Sequence, residues 1–273
     1  MSEPWTDWVG RSERVEERID PWPAAALTAA LGRADPPASG EPLPAYWHHL
    51  YTRPVVAADA TGPDGHPARG RLVPPAPGRR MWAGGRVTWQ APLVVGSSLV
   101  RTTTVRSVTE KAGRSGRLVF VLLEHRYEAD GRLAMVEEHD VVYREGSGTG
   151  ARQEPPAGAQ WRQPWQPDRV LLFRYSALTY NGHRIHYDQA YARDVEGYPD
   201  VVVHGPLLAT FLLDGLRRHR PDFVPSRFAF RAQAPVFPDR PLHACGLVDG
   251  RTARLWIEGA DGELAMSGEC EQG

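Results

Sequence analysis

The segment "EADGRLAM" (residues 128–135) occurs again, with two changes, as "GADGELAM" (259–266). A second pair, "QAPLVVGSSL" (90–99) and "QAPVFPDRPL" (233–242), precedes the first pair in the same order. One short match arises by chance, but two collinear matches indicate an internal duplication, and a repeat sets the architecture of a whole chain. The sequence therefore predicts two tandem copies of one domain.

A linker separates the two copies. Residues 144–160, "REGSGTGARQEPPAGAQ", are rich in Gly, Pro, Ser and Thr and have no hydrophobic period. We place the domain boundary near residue 150. The predicted domains are 1–150, a structural copy that shapes a pocket, and 160–273, the copy with the chemical motif.

The second copy predicts one long helix among strands. Residues 205–219, "GPLLATFLLDGLRRH", have almost no polar face, so this helix should be buried nearly all round. Strands separated by Asp-Gly turns follow it. A strand is also expected within 168–180, and a short helix after Asp188. A sheet wrapped around a central helix belongs to the α+β class.

The first copy shows corresponding signals. Strands are expected at 84–95, 97–110, 116–128 and 132–144. Its helix is expected at 21–32, with Asp20 as N-cap and Gly32 as stop. A Pro/Gly-rich insertion at 58–80 interrupts this copy and is either an ordered functional loop or a flexible cover.

The composition excludes several classes of protein. The chain has 273 residues, 41% of them hydrophobic and 24% charged, with a formal net charge of −1. Neither a basic tail nor an apolar run of membrane-spanning length is present, so we expect no nucleic acid or membrane partner. Two cysteines far apart in the sequence do not make a disulfide framework. We expect a cytoplasmic protein.

The richest stretch for chemistry is "NGHRIHYD" (181–188). His183 and His186 have H-x-x-H spacing, and Asp188 and His204 are further potential metal ligands. No cysteine lies near, and such spacing in an irregular loop is weak evidence. We therefore expect no metal and no other cofactor, and we expect His204 to pack or hydrogen-bond just before the helix.

The order "NGHRIHYD…EGY…VVHGP" resembles the MaoC-like hydratase/dehydratase group of the hotdog fold. It is most similar to mesaconyl-CoA hydratases and 3-hydroxyacyl-thioester dehydratases type 2, and "GPDGHP", "PGRRMWAGG" and "QAPLVVG" extend the likeness to the first copy. The resemblance implies a double hotdog with one working site in the C-terminal half. It also implies addition or removal of water at the double bond of an enoyl thioester carried by CoA or acyl carrier protein.

One position departs from the broader group, whose motif reads Gly-Asp-x-Asn-Pro-x-His-x-Asp. Aligned on His186, the first Asp is replaced by Asn181 and the Asn by His183. An amide is not a general base, so the usual division of roles does not apply here.

The remaining residues suit the needs of hydration. His186 is the best candidate for proton transfer because its ordinary pKa lies near neutrality. Asn181 can hold the water, and His183 either carries a second proton or orients His186. Asp188 either tunes a histidine or caps a helix. Gly205 is the first residue of a predicted helix, so its backbone N–H has no partner within the helix and can donate a hydrogen bond to the thioester oxygen.

Residues that contact substrate are expected on both copies. Arg184 is one candidate, and "RRMWAGG" (79–85) adds Arg79, Arg80 and Trp82 from the first copy. Two alternatives stay open: an acyl-CoA thioesterase, since hotdog folds host both chemistries, and a non-catalytic acyl-thioester binding protein. A homodimer is the assembly we consider.

Overall fold

The computed structural model describes residues 5–113, 116–145 and 152–273. The strands of the N-terminal half are β1 (Ser12–Arg18), β2 (Arg79–Trp89), β3 (Ser98–Gly113), β4 (Gly116–Ala129) and β5 (Arg132–Arg144). Those of the C-terminal half are β6 (Trp161–Trp165), β7 (Pro225–Ala232), β8 (Leu242–Asp249), β9 (Thr252–Glu258) and β10 (Leu264–Gln272). They form one antiparallel sheet in the order β1-β3-β4-β5-β2-β7-β10-β9-β8-β6.

The sheet reads the same from either edge. From the N-terminal edge the order is first, third, fourth, fifth and second strand of that half, and from the C-terminal edge it is again first, third, fourth, fifth and second. β2 and β7 pair at the centre, where Arg86 lies opposite Ala229. A pseudo-twofold axis therefore relates the two halves.

The repeated sequence segments occupy equivalent turns. Gln90 and the residue after it both donate a backbone N–H to the carbonyl of Ala134, at 2.8 and 3.1 Å. Gln233 and the residue after it donate in the same way to Ala265, at 2.9 and 3.2 Å. The observed topology thus confirms the predicted α+β double hotdog. The domain limits stay a prediction, because the boundary near residue 150 falls outside the described residues.

Four α-helices are found in the described ranges: α1 (Pro21–Ala30), α2 (Arg169–Leu178), α3 (Gln189–Asp194) and α4 (Gly205–His219). The strand expected within 168–180 is wrong, because that segment forms α2. Asp168 caps it by accepting the N–H of Leu171 at 2.7 Å. Its buried side chains, among them Leu171, Tyr175 and Leu178, recur at helical spacing rather than in strand alternation.

The two halves differ in their central helix. α4 is buried as predicted and packs against β8, β9 and β10. The predicted helix of the first half is present as α1, but it follows the first strand and is therefore the counterpart of α2. At the place equivalent to α4 the N-terminal half has a single 3₁₀ turn, Trp47–Leu50.

One hydrophobic core joins both halves. It includes Val87 and Met135 from the first half and Leu212 and Phe228 from the second. The sheet therefore holds the N-terminus of α4 at a fixed position against β2. No helix in the described part of the chain is long and apolar enough to cross a membrane.

Candidate active site

The motif loop 181–188 links α2 to α3 and is fixed by its own side chains. The Asn181 side-chain oxygen accepts the N–H of His183 at 3.0 Å. Asp188 accepts the N–H of Tyr191 at 3.0 Å, so the predicted N-cap of α3 is confirmed. Arg184 pairs with Asp188 at 2.7 Å. These contacts fix the backbone on both sides of His186.

His186 is buried and held in one tautomer. Its Nδ1 lies 2.7 Å from the carbonyl oxygen of Val202. Because a carbonyl only accepts, Nδ1 carries the hydrogen, and Nε2 is left as a proton acceptor. Burial lowers the pKa of His186 to about 4, so the ring is neutral near pH 7. A neutral imidazole with Nε2 unprotonated is the form required of a general base.

His204 lies directly against His186. The two rings stack with centroids 3.7 Å apart and an interplanar angle of 19°. His204 Nε2 is 2.8 Å from the hydroxyl of Ser176 on α2, which confirms the expected packing and hydrogen-bonding role. Burial lowers the pKa of His204 well below its ordinary value. His204 therefore supports the His186 ring as a neutral neighbour.

Gly205 and Trp82, predicted separately from the two halves, are in contact. A β-carbon placed on Gly205 would lie 2.5 and 2.6 Å from Cε3 and Cζ3 of the Trp82 indole. Gly205 is the first residue of α4, where backbone N–H groups have no partner within the helix. Glycine is thus needed for the indole of β2 to lie against the helix N-terminus.

The insertion of the first half reaches the motif of the second. The carbonyl of Asp64 accepts the N–H of Arg184 at 2.9 Å. Any side chain at Gly65 would overlap the carbonyl oxygen of Gly182, and Gly65 also has a φ of +85°. Of the two alternatives for the insertion, its Asp64–His66 segment therefore matches the ordered functional loop.

This contact brings a carboxylate to the histidines. Asp64 Oδ2 lies 3.5 Å from Nδ1 of His66, whose ring centroid is 4.1 Å from that of His183. Side-chain N and O atoms of these three residues all lie within 4.8 Å of one another. Burial, followed by the charges of His66 and His186, lowers the pKa of His183 to about 2, while Asp64 acts in the opposite direction.

The H-x-x-H residues, for which the sequence provides only weak evidence of a metal site, are not the potential ligands that lie close together in the structure. Asp64, His66 and His183 form one such group, which includes only one of the four residues considered from the sequence. The rings of His183 and His186 are perpendicular, with centroids 5.5 Å apart. Asp188 is engaged as a helix cap and in an ion pair.

A second polar cluster, unexpected from the sequence, lies in the first half. Glu137 is fully buried on β5, 3.0 Å from Nε2 of His48 and 2.9 Å from Nε2 of His139. Burial alone would raise the pKa of Glu137, but the charges of His139, His49 and His48 hold it well below its ordinary value. One potential metal-ligand atom from each of His48, His49 and Glu137 lies within 4.8 Å of the others. The members of this cluster come from two segments that lie far apart in the sequence, so no local pattern indicated that they would meet.

The three predicted arginines have different surroundings. Arg79 donates to the backbone carbonyl of Glu196, and Arg184 is paired with Asp188. Arg80 is half-buried, and its charge lowers the pKa of both His66 and His183. Within the described ranges no carboxylate pairs with Arg80. Of the three predicted arginines, Arg80 is therefore the one whose charge acts on both histidines with no carboxylate partner in the described ranges.

Solved structures agree with the fold class. The chain superposes on a MaoC-like dehydratase from Phytophthora capsici with a TM-score of 0.71, covering 96% of this chain and 94% of that one at 15% identity. It superposes on HtdX of Mycobacterium tuberculosis with a TM-score of 0.69, covering 96% and 100% at 21% identity. These likenesses define a MaoC-like double hotdog.

The chain belongs to the hydroxyacyl-thioester dehydratase type 2 family, whose sequence profile matches residues 46–238. It is 41% identical to mesaconyl-C(4)-CoA hydratase of Chloroflexus aurantiacus, over 98% of each chain. It is also 40% identical over 94 residues to the mitochondrial hydroxyacyl-thioester dehydratase type 2 of Schizosaccharomyces pombe, covering 34% of this chain and 30% of that one. The predicted hydro-lyase class, a hydratase or dehydratase acting on an acyl thioester, is confirmed.

Proposed function

We propose that the protein adds water to the α,β double bond of an acyl-CoA, or removes water from the 3-hydroxyacyl-CoA, with a mesaconyl-CoA-like acyl group as its substrate. The main supporting observation is His186, with an unprotonated Nε2 in the loop that precedes the N-terminus of α4. Kinship over the whole chain to a mesaconyl-C(4)-CoA hydratase supports the substrate.

The reaction begins with one water molecule. The Asn181 amide holds it, and His186 Nε2 takes one of its protons while the hydroxide forms a bond to the β-carbon. Negative charge moves to the thioester oxygen, where the N–H of Gly205 and the positive end of α4 stabilise it. His186 then returns its proton to the α-carbon, so that both parts of the water end on the substrate.

In this mechanism Asp64 supplies the negative charge that the missing motif carboxylate would otherwise provide. When His186 accepts the proton, a positive charge forms in a buried site. The nearby histidines are neutral because burial lowers their pKa. The charge of Asp64, placed beside His66 and His183, favours the imidazolium through space, while Nδ1 of His186 itself is bonded to the carbonyl of Val202. His183, neutral and next to His186, orients the same water.

Arg80 supports the proposed dicarboxylic acyl group. A mesaconyl group carries a second carboxylate besides the thioester. Arg80 has no carboxylate partner among the described residues and lies close enough to lower the pKa of His66 and His183. Arginine binds carboxylates through two parallel hydrogen bonds. We propose that Arg80 binds the free carboxylate of the substrate and that the Trp82 indole lies beside the reacting carbons.

The test is a panel of enoyl-CoA esters that includes mesaconyl-C(4)-CoA and a monocarboxylic enoyl-CoA. Loss of the conjugated double bond is followed by absorbance, and added water by mass spectrometry. We expect hydration, fastest with the dicarboxylic ester, and an Arg80→Gln variant that loses this preference. Release of free CoA without hydration would instead identify a thioesterase. Binding without turnover would identify a carrier of acyl thioesters.

A further inference from the structure

A second cavity lies at the far end of α4 from Gly205. It has a volume of about 560 Å³, and its buried walls are mainly apolar, with Leu43, Leu93, Leu213 and Phe223 among them and His48 and Asp214 as the polar members. An α-helix rises about 1.5 Å per residue, so Leu213 lies roughly 12 Å along the axis from Gly205. The cavity is therefore separate from the candidate active site.

Its walls are the counterparts of the active-site walls. The N–H of Leu43 bonds the carbonyl of Leu93 at 2.7 Å, and the N–H of Val203 bonds that of Val236 at 2.8 Å. These bonds tie equivalent segments to the two "QAP" turns. Ala45 lies two residues after Leu43, as Gly205 lies two residues after Val203. Ala45 is therefore the residue equivalent to Gly205 in the first half.

β2 and β7, which face these two segments, are related by the same pseudo-symmetry. Trp82 precedes Gln90 by the same number of residues as Pro225 precedes Gln233, and the two strands pair about the pseudo-twofold axis. Ala45 and Pro225 both line the cavity. The position that corresponds to the contact of Gly205 with Trp82 is thus an open space instead of a filled one.

The catalytic groups have no counterpart there. Residues 179–202 carry the motif loop between α2 and Val203, whereas the chain passes from α1 to Leu43 in residues 31–42. The long insertion that covers the active site is replaced by residues 220–224 between α4 and β7. The cavity therefore keeps apolar walls and an opening but lacks the residues that perform hydration.

Arg217 and Asp214 are the charged side chains that line the cavity, and Asp214 belongs to a cluster in which arginines are in excess. Asp214 is buried and contacts three guanidinium groups: those of Arg33, Arg217 at 3.2 Å and Arg218 at 3.5 Å. One carboxylate cannot balance three cations. Burial, followed by the charges of Arg218 and Arg217, lowers the pKa of Arg33 to about 9.

We propose that this cavity binds an acyl chain with an anionic head group, without turnover. An apolar cavity of this size falls within the range of about 300–1,000 Å³ typical of small-molecule sites. The walls receive the chain, and Arg217 at the rim pairs with the carboxylate or phosphate. The ligand class rests on the proposed function, because the cavity is the pseudo-symmetric copy of an acyl-binding site.

Binding is measured with the fluorescent fatty acid cis-parinaric acid, which requires no turnover. We expect saturable binding of one equivalent per chain. Ala45→Trp, which fills the cavity, should weaken binding by about tenfold or more and leave hydration within about twofold of wild type. Arg217→Glu reverses the charge at the rim without filling the cavity and should also weaken binding. Gly205→Ala is the reciprocal control: it should impair hydration and retain the probe.

Competition then separates the two sources of ligand. Displacement by unlabelled fatty acid alone assigns the site to free acids, and displacement by a long-chain but not a short-chain CoA ester assigns it to acyl-CoA. The proposal is overturned if the wild type does not bind the probe, if Ala45→Trp and Arg217→Glu bind it normally, or if a short-chain CoA ester displaces it. Absence of hydration with intact probe binding would refute the proposed function and leave the cavity proposal standing.

Discussion

Replacement of Gly205 by alanine separates stability from catalysis. At the first residue of α4, alanine gains up to about 1 kcal/mol of helix propensity over glycine. The new methyl group would lie 2.5 Å from the Trp82 ring, closer than carbon atoms approach, so the indole must move. Overpacking of this kind costs about 1–3 kcal/mol. The two effects partly offset each other, and we expect a folded protein with a net loss of about 0–3 kcal/mol.

The activity should fall much further than the stability. A methyl group beside the N–H of Gly205 occupies the approach of the thioester oxygen, and loss of one such donor lowers kcat by about 10²–10³-fold. Enoyl-CoA absorbance gives kcat/KM, and a thermal melt reports the fold. The double variant Gly205→Ala/Trp82→Leu removes the clash and should recover stability more than activity. Wild-type kcat/KM in a folded Gly205→Ala protein would refute the oxyanion role.

Four further predictions use the same absorbance assay, with circular dichroism to verify folding. His186→Ala should lower the hydration rate by roughly 10²–10⁴-fold, and a folded variant that turns over normally would remove His186 from the mechanism. Asn181→Ala should lose activity while Asn181→Asp retains part of it, and unchanged kinetics in the alanine variant would mean that this amide does not hold the water. Asp64→Asn should lower kcat by roughly tenfold or more with KM little changed, and Asp64→Glu should restore part of it; equal kcat in all three proteins would exclude Asp64 as the counter-charge. Since the pKa of His186 is about 4, kcat/KM should stay level from about pH 8 to about pH 5.5, and an acid limb near pH 6.5 would contradict the buried neutral base.

The same lowered pKa fixes the direction of the pH dependence of stability. A histidine whose pKa is lower in the folded protein binds its proton more tightly when unfolded. Its contribution is complete above the ordinary value of 6.5 and is lost as the pH falls toward about 4. His183 and His204 share this direction. The free energy of unfolding should therefore decrease steadily across that interval.

Local and repeated features could be predicted from the sequence. The two "ADG" turns and the two "QAP" segments gave the duplicated topology because they occupy equivalent hairpins and turns. The apolar run of α4 identified its buried helix, and Asp188 identified the start of α3. The site roles of Gly205 and Trp82 stay predictions, and the sequence did not indicate that these two residues are in contact.

Features that depend on distant pairing could not be predicted. β1, "SERVEER", has five charged residues and only Val15 apolar, so the sequence shows no hydrophobic alternation there. It is an edge strand, and its residues alternate between exposed and half-buried. α2 resembled a strand because its apolar residues are dense. Asp64 and Glu137 gained their partners only through the fold, across sequence separations that no local pattern reports.

The two halves differ in which of their loops are long. The second half carries the motif loop and the long helix, while the first half shortens both and extends the segment before β2. That extension crosses the pseudo-twofold axis and brings the Asp64 carboxylate to His183, close to where the motif has Asn181. A symmetric pair of hotdog domains would need every loop in each copy to serve its own site. Duplication within one chain removes that requirement. Under our proposal, Asp64 of the first half supplies the charge of the missing motif carboxylate, and the cavity of the first half is left without catalytic groups.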